Sequence, residues 1–278
     1  MSRRLLPARS WPLALVLIAY LALASFYNFA NPIFEAPDEL WHYRFVVHLA
    51  DGAGLPVIYE DPEKNVAGQE GGQPPLYYLL ASLATLWIDK GDLGSFSIAS
   101  PLLRGVGDGA NLFVHTAAED FPYRGTALAV HLIRGISTLA GLATVLMTYL
   151  IALEAFGGRR RLALGAAALT AFNPQFLFIS TSVSNDTLIT AVSALVLLLT
   201  LRGLERGFSL SGVLALGAAL AAASLSKVSG LALLPLALAG LVLRAWLERS
   251  RAPLRACLLL APMVAAGAGW WYLRNWGL

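Results

Sequence analysis

The feature that most constrains this chain is a series of long apolar runs with almost no charge. A hydrocarbon core about 30 Å thick needs about 20 apolar residues in a helix to cross it. The chain of 278 residues is 57% hydrophobic and only 13% charged, unlike a soluble domain. Apolar windows fall at 11–30, 127–153, 162–182, 187–201, 209–225, 229–247 and 254–273. The sequence therefore predicts an all-α polytopic membrane protein with a bundle of seven transmembrane helices.

Arginines indicate the topology, because positive residues concentrate in cytoplasmic loops. They precede the first window and then occupy every second junction between windows. They are Arg3, Arg4, Arg9, Arg159, Arg160, Arg161, Arg202, Arg206, Arg249, Arg251 and Arg255. We expect a multi-pass protein of the plasma (inner) membrane with a cytoplasmic N-terminus. It forms one module over residues 1–278, with a large outer loop at 31–125 and no separate soluble domain.

The first apolar run has two interpretations. Ala22-Leu23-Ala24 resembles a signal-peptidase site, which favours a cleaved signal peptide. The run continues beyond that site through Phe29, so it is long enough to span and we expect a retained anchor. Cys257 has no second cysteine to pair with, and we interpret it as a small core residue.

A further apolar stretch at 74–88 is only 15 residues long. If it crossed the membrane, the arginine cluster at 159–161 would lie outside. We therefore predict that it lies at the interface or packs on the bundle. The rest of the outer loop is expected to hold one short helix at 38–50, a polar turn at 60–73 and an irregular segment at 89–124.

Three polar clusters share one side of the membrane in this topology. They occupy residues 35–48, 180–187 and 224–230, and Arg134 lies near the same end of the second predicted helix. Ionisable groups next to membrane helices are costly unless solvent or function supports them. The sequence therefore predicts a pocket of acids and bases at the outer membrane face.

The order of motifs resembles the GT-C glycosyltransferases, and within them the bacterial branch related to protein mannosyltransferases and lipid A aminoarabinose transferases. The motifs are PDELWH, QPPLYYLL, HLIRGISTLAG, NPQFLFISTSVSNDTL and SLSKVSGLALLP, and they cover nearly the whole chain. The resemblance implies a fold of seven core helices with interfacial helices in the first outer loop. It also implies sugar transfer from a polyprenyl phosphate or diphosphate donor to a protein, lipid or glycan acceptor on the outer face. Members often carry more helices and a soluble outer domain, whereas this chain ends after the predicted seventh helix.

The resemblance also suggests residue roles. The family's first-loop acid falls on Asp38, with Glu39 as the neighbouring candidate, and its second-loop acid falls on Asp186, preceded by Asn185. The basic residues that hold the donor phosphate correspond to Arg134 and Lys227. Chemically, a carboxylate can take the acceptor's proton, and a cation can stabilise a leaving phosphate.

Each of these residues also has a structural interpretation. Asp38 and Asp186 each precede or begin a predicted helix, where they would serve as caps. Arg134 and Lys227 could be anchors at the membrane interface.

Two residues are expected to contact substrate without performing chemistry. His42 lies four residues after Asp38 on the same predicted helix face, where a neutral, hydrogen-bonding histidine fits better than a metal ligand. Gln73, with Gln69 and Glu70, is expected to shape the loop or touch sugar hydroxyls. No firm cofactor or metal site is predicted, although the sequence leaves open the binding of a divalent metal ion. Membrane lipid is expected to surround the protein, and no nucleic-acid partner is expected.

Two other functions compete with sugar transfer. A non-catalytic protein could bind a lipid carrier or act as an accessory subunit. A solute transporter would place its polar groups at mid-bilayer in paired broken helices, so it ranks last.

Overall fold

The computed structural model describes residues 11–103 and 110–278, so Arg3, Arg4 and Arg9 lie outside the described residues. The described chain is a helical bundle. The helices are α1 (Trp11–Ala30), α2 (Glu39–Ala50), α3 (Leu76–Thr85), α4 (Leu93–Phe96), α5 (Gly125–Ala155), α6 (Arg160–Ala171), α7 (Pro174–Ile179), α8 (Asn185–Arg206), α9 (Leu210–Ser226), α10 (Leu233–Leu247), α11 (Cys257–Val264) and α12 (Trp270–Trp276). Short 3-10 segments lie at Pro62–Lys64, Gly68–Gly72, Ala117–Glu119, Val228–Ala232 and Ala252–Ala256, and a π-helical turn at Ala265–Gly269 joins α11 to α12. The predicted all-α membrane fold is confirmed.

Five helices in the described part of the chain are long and apolar enough to cross a membrane. They are Trp11–Ala30, Gly125–Ala155, Asn185–Arg206, Val228–Leu247 and Ala252–Trp276. Helix α9 covers the predicted window 209–225, but it has 17 residues and is therefore about 25 Å long. The predicted number of seven membrane-crossing helices is not reached on length.

The predicted third span at 162–182 is not one helix. Helix α6 ends at Ala171, and α7 begins at Pro174. Pro174 has no backbone N–H to continue the ladder, and the Asn173 side chain caps the new helix by accepting from the amides of Gln175 and Phe176. An Asn–Pro pair is a helix-start signal, so hydropathy alone concealed the break.

Helix α5 lies at the centre of the bundle, with α1 and α6 on one side and α8 on another. The close approach of α1 depends on Gly141, because a Cβ there would lie 2.0 Å from the Tyr20 hydroxyl oxygen. In the space that Gly141 leaves, the Tyr20 hydroxyl donates a hydrogen bond to Ser180 Oγ at 2.8 Å. Small residues at crossings allow this kind of helix contact within a membrane.

The segment after α1 covers one end of the bundle. Helix α2 packs on α3, where the buried rings of Phe45 and Tyr78 stack with their centroids 3.9 Å apart. Helix α3 has 10 residues, about 15 Å, so it is too short to span, as predicted. Its Tyr77 hydroxyl bonds to Ser137 Oγ on α5 at 2.8 Å, which fixes α3 on the bundle.

The three polar clusters lie at this same end of the bundle. Arg134 of α5 donates to the Asn31 carbonyl after α1, and Arg274 of α12 donates to the Leu55 carbonyl of the loop. At the opposite end, Glu154 binds Arg202 and Arg206. The polar clusters and this arginine group therefore occupy opposite ends, while the side of the membrane that each end faces stays a prediction.

Candidate active site

Asp38 immediately precedes α2 with its carboxylate exposed. Its backbone has a φ of 56°, in the left-handed region, where Asp is one of the few tolerated residues. The Asp38 carbonyl accepts from the amides of Trp41 and His42, whereas its side chain makes no capping hydrogen bond. The side-chain cap considered from the sequence is therefore absent, and the carboxylate is open to solvent.

Glu39 points the other way and is fully buried. Its Oε1 accepts from Arg134 Nε at 2.8 Å, and its Oε2 accepts from Arg134 Nη2 at 2.7 Å, the bidentate geometry that suits guanidinium and carboxylate. The same carboxylate accepts from the amides of Phe34 and Val183. Glu39 thus joins the loop, α5 and the segment before α8.

Arg134 has no N–H left for a ligand. Besides Glu39, its guanidinium donates to the carbonyls of Asn28, Asn31 and Pro32, and the side chain is 0% exposed. These contacts use all the donors that an arginine has. Neither side chain faces solvent. The geometry therefore argues against direct phosphate contact by Arg134 and against Glu39 as the catalytic carboxylate.

Asp186 and Lys227 form a second, open ion pair. Lys227 Nζ lies 2.5 Å from Asp186 Oδ1, and the two side chains are 29% and 48% exposed. Ser184 caps α8 by accepting from the Asp186 amide, so Asp186 is not the cap. Its carboxylate instead lies beside a cation at the surface.

A buried group of polar side chains lies next to this pair. His42 Nδ1 lies 2.8 Å from the Tyr78 hydroxyl oxygen, and Glu70 Oε2 lies 3.4 Å from the same hydroxyl. Burial lowers the pKa of His42 to about 4. The charge of Asp186 raises this pKa slightly and the charge of Lys227 lowers it, so His42 is neutral at pH 7. Burial raises the pKa of Glu70, and the charge of Asp38 adds to that rise.

These electrostatic effects show which residues share one region. Glu70 senses the charges of Asp38, Asp186 and Lys227, and His42 senses the last two. Sequence reasoning singled out Asp38, His42, Asp186 and Lys227, and the structure brings them together. It expected Glu70 to shape the loop or touch sugar hydroxyls, but it did not place Glu70 beside His42. It did not select Tyr78 as a site residue, because Tyr78 shares no helical spacing with Asp38.

Asn185 and Gln73, both predicted to bind substrate, each carry a buried side-chain oxygen. Asn185 is fully buried and donates from Nδ2 to the Ser226 carbonyl at 3.1 Å, which holds the start of α8 against the end of α9. The Asn185 Oδ1 and Gln73 Oε1 atoms are buried and, among the described residues, have no hydrogen-bond partner. Across residues 11–103 and 110–278, no group of three His, Cys, Asp or Glu side chains is placed to hold a metal ion.

A separate cluster of ionisable side chains, formed by Glu35, His115 and Glu119, connects two distant parts of the loop between α1 and α5. His115 bridges Glu119, at 2.7 Å from Nδ1, and Glu35, at 2.9 Å from Nε2. Burial opposes the charged imidazole, but the hydrogen bonds to Glu119 and Glu35 outweigh it and raise the pKa of His115. Glu35 also accepts from the amides of Leu112 and Phe113, so this cluster ties the irregular segment to the end of α1.

Comparison with known proteins supports the fold and identifies the family. The fold is similar to that in a solved structure of the S. cerevisiae protein O-mannosyltransferase Pmt1–Pmt2 complex bound to the sugar donor. The match has a TM-score of 0.60 and 19% sequence identity, and it covers 98% of this chain and 33% of that one. The chain thus spans about a third of the length of that relative. No curated protein matches the chain.

The family comparison covers the helices that carry one part of the site, while Asp38, Glu39, His42 and Gln73 lie before the matched residues. Residues 129–271, just over half of the chain, match the model of the dolichyl-phosphate-mannose-protein mannosyltransferases. That region contains Arg134, Asn185, Asp186 and Lys227, and the predicted GT-C resemblance is confirmed. The chain therefore belongs to the dolichyl-phosphate-mannose-protein mannosyltransferase family, within the GT-C superfamily of membrane glycosyltransferases.

Proposed function

We propose that this chain moves a sugar from a polyprenyl phosphate or diphosphate donor to an acceptor at the outer face of the plasma membrane, with inversion at the anomeric carbon. The observation that carries the proposal is that an exposed carboxylate, Asp38, and a partly exposed ammonium, Lys227, both lie near enough to Glu70 to shift its pKa, at one end of the helical bundle. Family membership supports the reaction class. The solved relative is described as bound to its sugar donor, and the family description names a dolichyl-phosphate sugar, which supports a lipid-linked donor here.

Asp38 is the proposed general base. As the acceptor's hydroxyl or amine attacks, a bond forms between its oxygen or nitrogen and the anomeric carbon, and its proton passes to the Asp38 carboxylate. The bond between the anomeric carbon and the phosphate oxygen breaks, and its electron pair leaves with the phosphate. Lys227 stabilises that charge through a charge-assisted hydrogen bond.

The buried pair holds this base in place. Asp38 adopts a positive φ that costs roughly 1–3 kcal/mol for a residue with a side chain, and Phe34 does so as well, at 67°. Glu39 stabilises this turn because it binds the Phe34 amide and Arg134 together. Glu39 and Arg134 are thus positioning residues in this proposal.

Two further residues are proposed to contact the sugar or the acceptor. His42 is neutral and can exchange hydrogen bonds with hydroxyls. Gln73 carries a buried acceptor atom without a partner among the described residues, and a sugar hydroxyl would satisfy such an atom. Asn185 is as fully buried as Arg134, so it is proposed to position the start of α8 rather than to contact the sugar. The acceptor is a protein, lipid or glycan, and the proposal assigns no step to a metal ion.

Transfer of a radiolabelled sugar in membranes tests the role of Asp38. Asp38→Asn keeps the size of the side chain and removes the base, so we expect transfer to fall by roughly 10²–10⁴-fold with normal insertion and donor binding. The matched control is Asp51→Asn, the same change at the other end of α2, which should leave transfer unchanged. Normal transfer by Asp38→Asn would refute the proposed base.

The same assay separates the competing function. If the wild-type protein in membranes binds a prenyl phosphate but transfers no sugar to any acceptor, its function is to bind a lipid carrier instead. Membranes that do neither would contradict both functions.

A further inference from the structure

The cation assigned to the donor phosphate is already paired. Lys227 Nζ contacts Asp186 Oδ1, and the lysine's backbone is held on both sides, because its amide donates to Ala223 and its carbonyl accepts from the Gly230 amide. Asn185 further fixes the preceding Ser226 carbonyl. An incoming phosphate therefore meets Lys227 in place, with the Asp186 carboxylate at its side.

The surroundings of this cation are rich in acid. Asp38, Glu70 and Asp186 all act on the same region, and Lys227 is the cation that Glu70 and His42 both sense. Arg134 is occupied by Glu39. A phosphate bound at Lys227 is thus attracted by one ammonium and repelled at short range by the Asp186 carboxylate. This repulsion acts whether the ammonium binds Asp186 and the phosphate together through its three N–H groups or breaks its contact with Asp186.

The two lipid phosphates of the reaction differ in charge. A sugar-linked prenyl phosphate is a phosphodiester with a single negative charge. The carrier that remains after transfer is a phosphomonoester with a charge of about −1.5 to −2 at pH 7. Repulsion by a fixed carboxylate rises with ligand charge, so the same Asp186 opposes the spent carrier more strongly than the donor.

We propose that Asp186 is a specificity-determining residue that makes the Lys227 site prefer the phosphodiester donor and release the phosphomonoester carrier. The inference rests on the proposed donor site at Lys227. It assigns Asp186 an electrostatic role in carrier exchange rather than in proton transfer.

Binding of two short lipids to the full chain in nanodiscs tests this role. The probes are farnesyl phosphate, a monoester, and farnesyl phosphomannose, a diester, each titrated at pH 7. Asp186→Asn keeps the size of the side chain and removes its charge. We expect it to bind the monoester about tenfold more tightly and the diester only about two- to threefold more tightly, in line with the loss of one screened charge. Lys227→Met should weaken the binding of both.

The chain offers a closely matched control for the loss of charge. Asp61 pairs with Lys64 at 3.5 Å and is also 48% exposed, so Asp61→Asn removes an equivalent carboxylate from an exposed pair elsewhere in the loop. It should change neither affinity. Thermal unfolding checks that Asp186→Asn is folded, and Asp186→Ser provides a second variant without the charge.

The outcomes separate the inference from the function beneath it. Equal tightening of both lipids, no change, or weaker monoester binding by folded Asp186 variants would overturn the role of Asp186 alone. A wild-type protein that binds neither lipid, or a Lys227→Met variant that binds both normally, would overturn the donor site and the inference with it.

Discussion

Two acid–base pairs lie at the same end of the bundle and differ in nearly every other respect. Glu39 and Arg134 are both 0% exposed and hydrogen-bonded to backbone groups on three sides. Asp186 and Lys227 are 48% and 29% exposed and make one direct contact. Each pair joins residues far apart in sequence, so the difference lies in solvent access.

Solvent access decides what each pair can do. Removing one partner of a buried pair leaves an uncompensated charge and costs about 3–5 kcal/mol, so such a pair can hold a backbone in a strained conformation. An exposed pair contributes about 0–1 kcal/mol and can exchange partners with a ligand. The buried pair therefore serves structure, and the open pair is suited to chemistry.

Breaking the buried pair should have the largest effect on stability. Arg134→Ala leaves Glu39 buried and charged, so we expect a loss of about 3–5 kcal/mol in unfolding free energy, measured as a lower unfolding temperature in detergent. Arg202→Ala, which removes a partly exposed arginine from Glu154 at the opposite end, is the control and should change it far less. A stable Arg134→Ala protein with weakened lipid-phosphate binding would restore the phosphate role predicted from the sequence.

Breaking the open pair should show the reverse pattern. Lys227→Met should weaken binding of a prenyl phosphate by on the order of ten- to hundredfold, because a charge-assisted contact is worth about 1.5–3 kcal/mol. The unfolding temperature should hardly change, since the pair is exposed. Lys64→Met, from the other exposed pair, controls for loss of a surface lysine. A large drop in stability with unchanged binding would show that Lys227 belongs with the structural pair.

The His115 bridge is intermediate between the two pairs, and its effect should be the smallest. Its pKa is raised in the folded chain, so the imidazolium stabilises the contact fully below its ordinary value of about 6.5. That stabilisation is lost as pH rises through the raised value. Hydrogen exchange at the Leu112 and Phe113 amides, which bind Glu35, should therefore quicken as pH rises through this window, beyond the intrinsic increase. His115→Gln should remove the additional pH dependence, and an identical profile in that variant would contradict the assignment.

Much of the architecture could be predicted from local sequence. An apolar run of about 20 residues must become a helix in lipid because every backbone polar group needs an internal partner, and five predicted windows correspond to the five described spans. The shortness of 74–88 agrees with the 10 residues of α3, and its position relative to the membrane stays a prediction. The interruption at Asn173–Pro174 was also present in the sequence, but hydropathy averages over the residues that cap and break a helix.

The candidate site was only partly predictable. Asp38 and Glu39 were predicted as neighbouring candidates for the first-loop acid, yet the sequence could not say that Glu39 is the one that meets Arg134, 95 residues away. Asp186 and Lys227 were both named, but their contact spans 41 residues and has no local signature. Glu70 and Tyr78 lie in different elements from His42, and only the packing of the Gly68–Gly72 segment and of α3 on α2 brings them together.

The sequence by itself therefore determined the helices, the polar end of the bundle and the residue types available for chemistry. These follow from hydrophobicity, length and charge, which act locally along the chain. Tertiary structure alone decided that Glu39 and Arg134 neutralise each other away from water while Asp38, Asp186 and Lys227 remain open to it. Burial depends on which distant segments pack together, and burial sets whether a charge stabilises the fold or is free to act on a substrate.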